Sequence, residues 1–303
     1  MAGASVLALI ALALIVSGAL ALAGRVPSES QTAAAPAADP FAGIEIAGKA
    51  AVVIDIPSGK TLYEKNPDAA LPLASLTKVM LALVVAEALP PDSIIVIPYY
   101  AGGSAGEEHL GKGERWRVQD VVDFTLITSS NNGAGILASA AEPALRERYP
   151  ESPAGAAALF RMNDLARELG LTSTYFLNVS GLDLSATQAG SYGSARDMAA
   201  LFAYAVSAEP SLFAGTARGG VLLSDLDGNR NTTASNTNSA QGSIPGLIMG
   251  KTGLTDLAGG NLGVVFDLGL AHPVVAVVLG STENGRFEDM EKLIAAARKA
   301  LTQ

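Results

Sequence analysis

The sequence predicts an α+β domain in which one antiparallel sheet of about five strands is assembled from both ends of the folded region, with a helical subdomain inserted between them. Three observations predict it. Apolar, β-branched runs broken by Gly- or Pro-containing turns occur at residues 51–64 and again at 247–280, which is the signature of strands joined by tight turns. The stretch between them carries its apolar residues at helical spacing. A last segment, 287–301, places Phe287, Met290, Leu293, Ile294 and Ala297 on one helical face, as expected of a helix packed on a sheet.

The elements follow in order. Ala51-Val52-Val53-Ile54-Asp55-Ile56 reads as a strand, Pro57-Ser58-Gly59-Lys60 as a turn, and Thr61-Leu62-Tyr63-Glu64 as the return strand. Residues 76–89 are apolar nearly all round, the pattern of a helix buried in the domain centre. Helices are also expected at 118–127, 134–141, 156–169 and 195–206. Three further strands, 247–254, 260–267 and 273–280, are separated by Gly-containing turns. No internal repeat is visible, and no second domain is expected after the sheet.

Composition narrows the function. The chain has 303 residues, 49% apolar and 16% charged, enough to bury a large core. Its net charge of −9 argues against nucleic acid as a partner. There is no cysteine, which excludes disulfides, thiolate metal sites and a cysteine nucleophile. Only two histidines occur, His109 and His272, so a hydrolase here is expected to find its base elsewhere. The Asp and Glu residues lack ligand spacing; no metal and no organic cofactor is expected.

Residues 2–24 carry no charge, a run long enough to cross a bilayer as a helix. It reads as a membrane anchor or as a secretory signal, with Ala19-Leu20-Ala21 or Ala21-Leu22-Ala23 as the small-residue cleavage site. Residues 1–24 are therefore expected to direct export to the outer face of the cytoplasmic membrane or the cell-wall space. Residues 25–47, rich in Ala and Pro, read as a flexible linker, and 48–303 as the folded domain.

Three short motifs carry the chemistry: Ser75-Leu76-Thr77-Lys78, Ser129-Ser130-Asn131 and Lys251-Thr252-Gly253. Ser75 stands at the start of the buried helix, where the helix terminus favours developing negative charge. Lys78 lies one turn on and shares its face. A lysine acts as a base only when burial or a neighbouring cation lowers its pKa, and Lys251 is a candidate for that cation. Taken alone, the first motif reads as a helix cap with a solvated lysine, the second as another cap, and the third as a turn. In the second, Ser130 and Asn132 offer the same spacing one residue later, and chemistry does not choose between the registers. The third lies in an expected strand, where Gly253 lets another backbone approach and Lys251 and Thr252 suit the terminal carboxylate of an extended peptide.

In this order the motifs match the set known from penicillin-binding proteins and class A β-lactamases. The chain resembles the serine-type D-alanyl-D-alanine carboxypeptidases of the low-molecular-mass penicillin-binding protein family. The likeness runs from about residue 50 to 301. It includes Pro72-Leu73-Ala74 before Ser75, Asn178 with Gly181-Leu182, Ser194-Ala195-Arg196-Asp197-Met198, Asn236-Thr237-Asn238 and Gly250-Lys251-Thr252-Gly253. It implies a β-lactamase/transpeptidase-like fold, Ser75 as the acylated nucleophile and Lys78 as its base. It selects Ser129 and Asn131 for the relay, and Lys251, Thr252 and Gly253 for substrate binding. It implies an oxyanion hole from the N–H groups of Ser75 and Leu254, and Arg286 near the substrate carboxylate. The implied partner is a peptidoglycan stem peptide ending in D-Ala-D-Ala, with β-lactams as covalent inhibitors and the N-terminal segment on the cytoplasmic membrane.

Three positions depart from the family pattern. Asn132 stands for the usual Asp, Gly133 for the usual Ala, and Leu254 for the commoner aromatic residue or His. Rival readings are a class A-like β-lactamase, for which no Glu-x-x-x-Asn element follows the second motif, and a penicillin-sensing or scaffolding module without turnover. Gly102-Gly103-Ser104-Ala105-Gly106 fits a nucleophile elbow, but its turn-rich surroundings argue for a loop.

Overall fold

The computed structural model describes residues 39–98 and 110–302. Its central sheet has five strands: β1 (Ala50–Asp55), β2 (Thr61–Lys65), β10 (Leu247–Thr255), β11 (Gly259–Asp267) and β12 (Pro273–Ser281). The intervening strands are short: β3 (Leu71–Pro72), β4 (Ile94–Val96), β5 (Arg115–Arg117), β6 (Tyr175–Phe176), β7 (Ser191–Gly193), β8 (Gly220–Ser224) and β9 (Asn231–Ser235). The sheet order is β10-β11-β12-β1-β2, with every pairing antiparallel. The first long strand thus pairs with the last, Val52 opposite Val277. This is the expected sheet, built from both ends of the domain.

Both faces of the sheet are covered, which is why its strands read as continuous apolar runs rather than alternating ones. Ala50, Val52, Val265, Val275, Val277 and Leu279 point into one core, toward helices α1 (Thr77–Ala88) and α5 (Ala195–Ala208). Their neighbours Ala51, Val53, Val264, Phe266, Ala276 and Val278 point into the other. There they meet Met290, Leu293, Ile294 and Ala297 of α6 (Gly285–Thr302), the face that the sequence pattern marks out. Burying one such aliphatic side chain stabilises by about 1.5–3 kcal/mol.

The inserted region contains α2 (Val118–Ile127), α3 (Asn131–Arg148) and α4 (Ala157–Glu168) packed around α1. It is less purely helical than expected, because β3, β7 and β6 form a small sheet and β8–β9 a hairpin. Helix α3 also runs well beyond the expected 134–141 and tolerates Pro143.

The expected linker extends too far. Phe41 and Ile46 are buried, Phe41 stacks on Tyr63 at 5.5 Å, and the Ala47 and Gly48 amides donate to the Asp289 carboxylate, each at 2.9 Å. An apolar anchor and a buried acceptor order residues 41–48 against the sheet. The uncharged run at 2–24 and most of the linker lie outside the described residues. Among the described residues, no helix is long and apolar enough to cross a membrane.

Candidate active site

Ser75 sits in a single 3-10 turn, Ala74–Leu76, that runs directly into α1. Fully buried Leu73 and Leu76 anchor the turn on either side of the serine. Ala74 holds a left-handed φ of 49°, a conformation that costs a non-glycine residue about 1 kcal/mol or more. Lys78 is 1% exposed. Its Nζ lies 2.7 Å from Ser75 Oγ, 2.8 Å from Asn131 Oδ1 and 2.8 Å from the Ser180 carbonyl oxygen. The solvated-lysine alternative therefore does not describe this residue.

The second motif connects α2 to α3, and its two serines differ in what they bond. Ser130 is buried and its Oγ accepts from the Gly133 amide at 2.9 Å, an ordinary N-cap bond. Ser129, held at φ 63°, instead presents its hydroxyl to Lys251 Nζ at 2.8 Å. The family's residue choice, Ser129 with Asn131, is thus the pair that meets the two lysines. Gly133 has a local cause: a Cβ there would lie 2.3 Å from Thr125 Oγ1, so the small residue accommodates Thr125 on α2.

The third motif occupies the middle of edge strand β10. Lys251 is 1% exposed, and its Nζ donates to Ser129 Oγ and, at 2.9 Å, to the Thr252 carbonyl. Burial holds its ammonium well below the ordinary lysine range, and the positive charges of Lys78 and Arg286 push in the same direction. Gly253 is needed for a close approach: a Cβ there would lie 2.8 Å from the Leu73 carbonyl oxygen. That contact brings β10 against the segment that carries Ser75. Leu254 is 44% exposed. Arg286 is buried, donates from Nη1 to the Gly253 carbonyl at 2.8 Å, and keeps a buried Nε without a partner. Two buried lysines and a buried arginine thus gather around the three motifs.

Sequence reasoning assigns no role to three contributors. The Ser180 carbonyl is a main-chain atom and leaves no side-chain signal. Thr237 Oγ1 lies 2.6 Å from Thr252 Oγ1, a pairing of hydroxyls from separate segments. Asn261, fully buried, donates to the Pro72 carbonyl at 2.9 Å and accepts from the Gly280 amide at 2.8 Å. A lone amide inside the apolar run of β11 was its only trace. His272 stands elsewhere, with Nε2 2.7 Å from Asp55 Oδ1; Ser104 and His109 lie outside the described residues. Among the described residues, no group of three or more His, Asp or Glu side chains is placed to hold a metal.

A profile of the D-alanyl-D-alanine carboxypeptidase family matches residues 30–283. The chain belongs to this family. It is 31% identical over 282 residues to the D-alanyl-D-alanine carboxypeptidase DacC of Escherichia coli, covering 87% of this chain and 62% of that protein. It is 34% identical over 165 residues to a D-alanyl-D-alanine endopeptidase of Pseudomonas aeruginosa, covering 50% of this chain and 48% of that protein. The chain thus spans less than two thirds of the length of these relatives. Among solved structures, an ampicillin-bound penicillin-binding protein of Listeria monocytogenes superposes with a TM-score of 0.70 at 28% identity. That match covers 84% of this chain and 98% of the Listeria chain. The family's fold is therefore the one the sequence resemblance implies.

Proposed function

We propose that this protein is an exported serine peptidase that removes the terminal D-alanine from peptidoglycan stem pentapeptides through an acyl-enzyme on Ser75. The observation that carries the reading is a pair of buried lysines, one bonded to Ser75 and the other to Ser129. Lys78 Nζ lies 2.7 Å from Ser75 Oγ, while Lys251 Nζ, on a strand from the far end of the domain, reaches Ser129 Oγ.

The chemistry follows from these placements. Asn131 Oδ1 and the Ser180 carbonyl are acceptors that carry no proton. Once it has lost its extra proton, the Lys78 amine gives them its two N–H groups and turns its lone pair to the Ser75 hydroxyl. Ser75 Oγ attacks the carbonyl carbon between the two D-alanines as Lys78 takes its proton. The N–H groups of Ser75 and Leu254 receive the oxyanion, at a helix terminus that favours negative charge. Ser129, linked to Lys251, relays a proton to the leaving amine and recovers one from the Lys78 ammonium; the C–N bond breaks, D-alanine departs and Lys78 is neutral again. Water then hydrolyses the Ser75 ester. Lys251, Thr252 and Arg286 supply the positive, hydrogen-bonding surface for the substrate's terminal carboxylate. β-Lactams, which present a similarly placed carboxylate and acyl group, are expected to acylate the same serine, and the uncharged N-terminal run to tether the enzyme at the membrane.

Intact-protein mass spectrometry after benzylpenicillin treatment tests the nucleophile. One adduct on the wild type and none on a folded Ser75→Ala variant is expected, together with steady D-alanine release from a pentapeptide by the wild type. An adduct that survives in Ser75→Ala rejects the assignment of the nucleophile. A wild type that forms the adduct yet releases at most one D-alanine per molecule rejects turnover.

A further inference from the structure

The base is held by a loop that neither of the other two motifs explains. Residues 178–182 pass beside the nucleophile turn so closely that a Cβ on Gly181 would lie 1.9 Å from the Ala74 carbonyl oxygen. Gly181 adopts φ 81°, the left-handed region that glycine enters at no cost, and this leaves the Ser180 carbonyl pointing at Lys78 Nζ.

One side chain fixes that shape. Asn178 Oδ1 accepts from the Gly181 amide at 2.7 Å, from the Ser180 amide at 3.1 Å and from the Ser180 hydroxyl at 3.3 Å. Its Nδ2 donates to the Leu182 carbonyl at 2.7 Å. An asparagine suits this job because its carbonyl mimics a backbone acceptor in a local turn while its amide closes the loop from the other side. Gly190 makes room for it: a Cβ there would lie 2.4 Å from Asn178 Nδ2.

We infer that Asn178 is a positioning residue for the nucleophile's activation: it holds the Ser180 carbonyl where that oxygen takes one N–H of the Lys78 amine, so that the amine lone pair faces Ser75. The inference rests on the proposed role of Lys78 as base. Without the carbonyl, a rotating amine spends much of its time with an N–H, not the lone pair, toward the serine hydroxyl. Proton transfer slows while the carboxylate-binding side of the cleft, on β10, is untouched.

The test separates acylation from binding. Rates of acylation by a fluorescent penicillin are measured against its concentration for the wild type, Asn178→Ala and Asn178→Asp, giving a maximal rate and a half-saturation concentration for each; thermal midpoints confirm folding. Asn178→Ala is expected to lose ten- to a hundredfold in maximal rate with the half-saturation concentration changed less than threefold. Asn178→Asp, which keeps the acceptor oxygen for the Ser180 and Gly181 amides, is expected to stay within about tenfold of the wild type and above the alanine variant. If Asn178→Ala does not fold, Asn178→Ser, with a shorter acceptor, takes its place and must acylate more slowly than Asn178→Asp. Wild-type acylation in a folded alanine or serine variant overturns the inference, and so does a loss confined to half-saturation. Persistence of the adduct in Ser75→Ala would instead remove the reading beneath it, so the two failures are distinguishable.

Discussion

Asn261→Ala is the substitution whose effect the structure quantifies most directly. The side chain is fully buried in β11 and joins two backbone groups: the carbonyl of Pro72, three residues before Ser75, and the amide of Gly280 on β12. Truncation leaves one acceptor and one donor without this partner, both in part-buried surroundings. Each such loss costs about 1–3 kcal/mol, so the sum is about 2–6 kcal/mol against a total stability of about 5–15 kcal/mol. For a domain of this size each kcal/mol lowers the thermal midpoint by about 2–4 °C, which makes the expected shift about 4–24 °C. Differential scanning calorimetry measures it. Penicillin labelling of the remaining folded fraction, well below the midpoint, should also slow, because the Pro72 carbonyl ties the serine's turn to the sheet. A midpoint within about 2 °C of the wild type would refute the reasoning, since it would mean that water or local shifts satisfy both groups at no cost.

Two further expectations concern buried charge. Lys251 has its pKa depressed from the ordinary 10.5, so the unfolded chain binds its proton more tightly than the folded one. Stability therefore falls as pH drops from about 10.5 toward the depressed value, and stays low below it. Lys251→Met is expected to abolish penicillin acylation while raising the thermal midpoint at pH 7 relative to the wild type, with the gain shrinking toward pH 10; a gain independent of pH speaks against this account. Asp123, partly buried on α2, has its carboxyl raised to about 6, chiefly by burial. Its folded form thus holds a proton more tightly, and stability is lost as pH rises from about 4 through about 6. Asp123→Asn, which mimics the protonated acid, is expected to stabilise at pH 7.5 by up to about 3 kcal/mol and not at pH 4; equal urea midpoint shifts at both pH values would contradict it.

The large sheet was legible because burial on two faces writes itself as unbroken apolar runs, and α6 because its one-sided contact restores a helical period. The two-residue strands β3 and β6 were not legible, since so short a pairing has no period. The β8–β9 hairpin hides behind polar composition, although Asp227-Gly228 marks a turn. At the site, the Ser75–Lys78 spacing states its own geometry, but the Ser129 register does not. Two serines side by side are equivalent on paper until Ser130 is committed to capping α3. The acceptor at Ser180 had no trace of its own, because a carbonyl oxygen belongs to every residue.

The order β10-β11-β12-β1-β2 has a consequence for biogenesis. Strand β1 emerges early yet lacks its inner neighbour until β12 has been made, and Ser75 is made long before Lys251 on β10. Pairings of such long sequence separation form late and slowly. A partly synthesised or partly translocated chain therefore carries the serine without its cationic counterpart. Covalent capture by a β-lactam would then count only molecules whose closing strand has already docked.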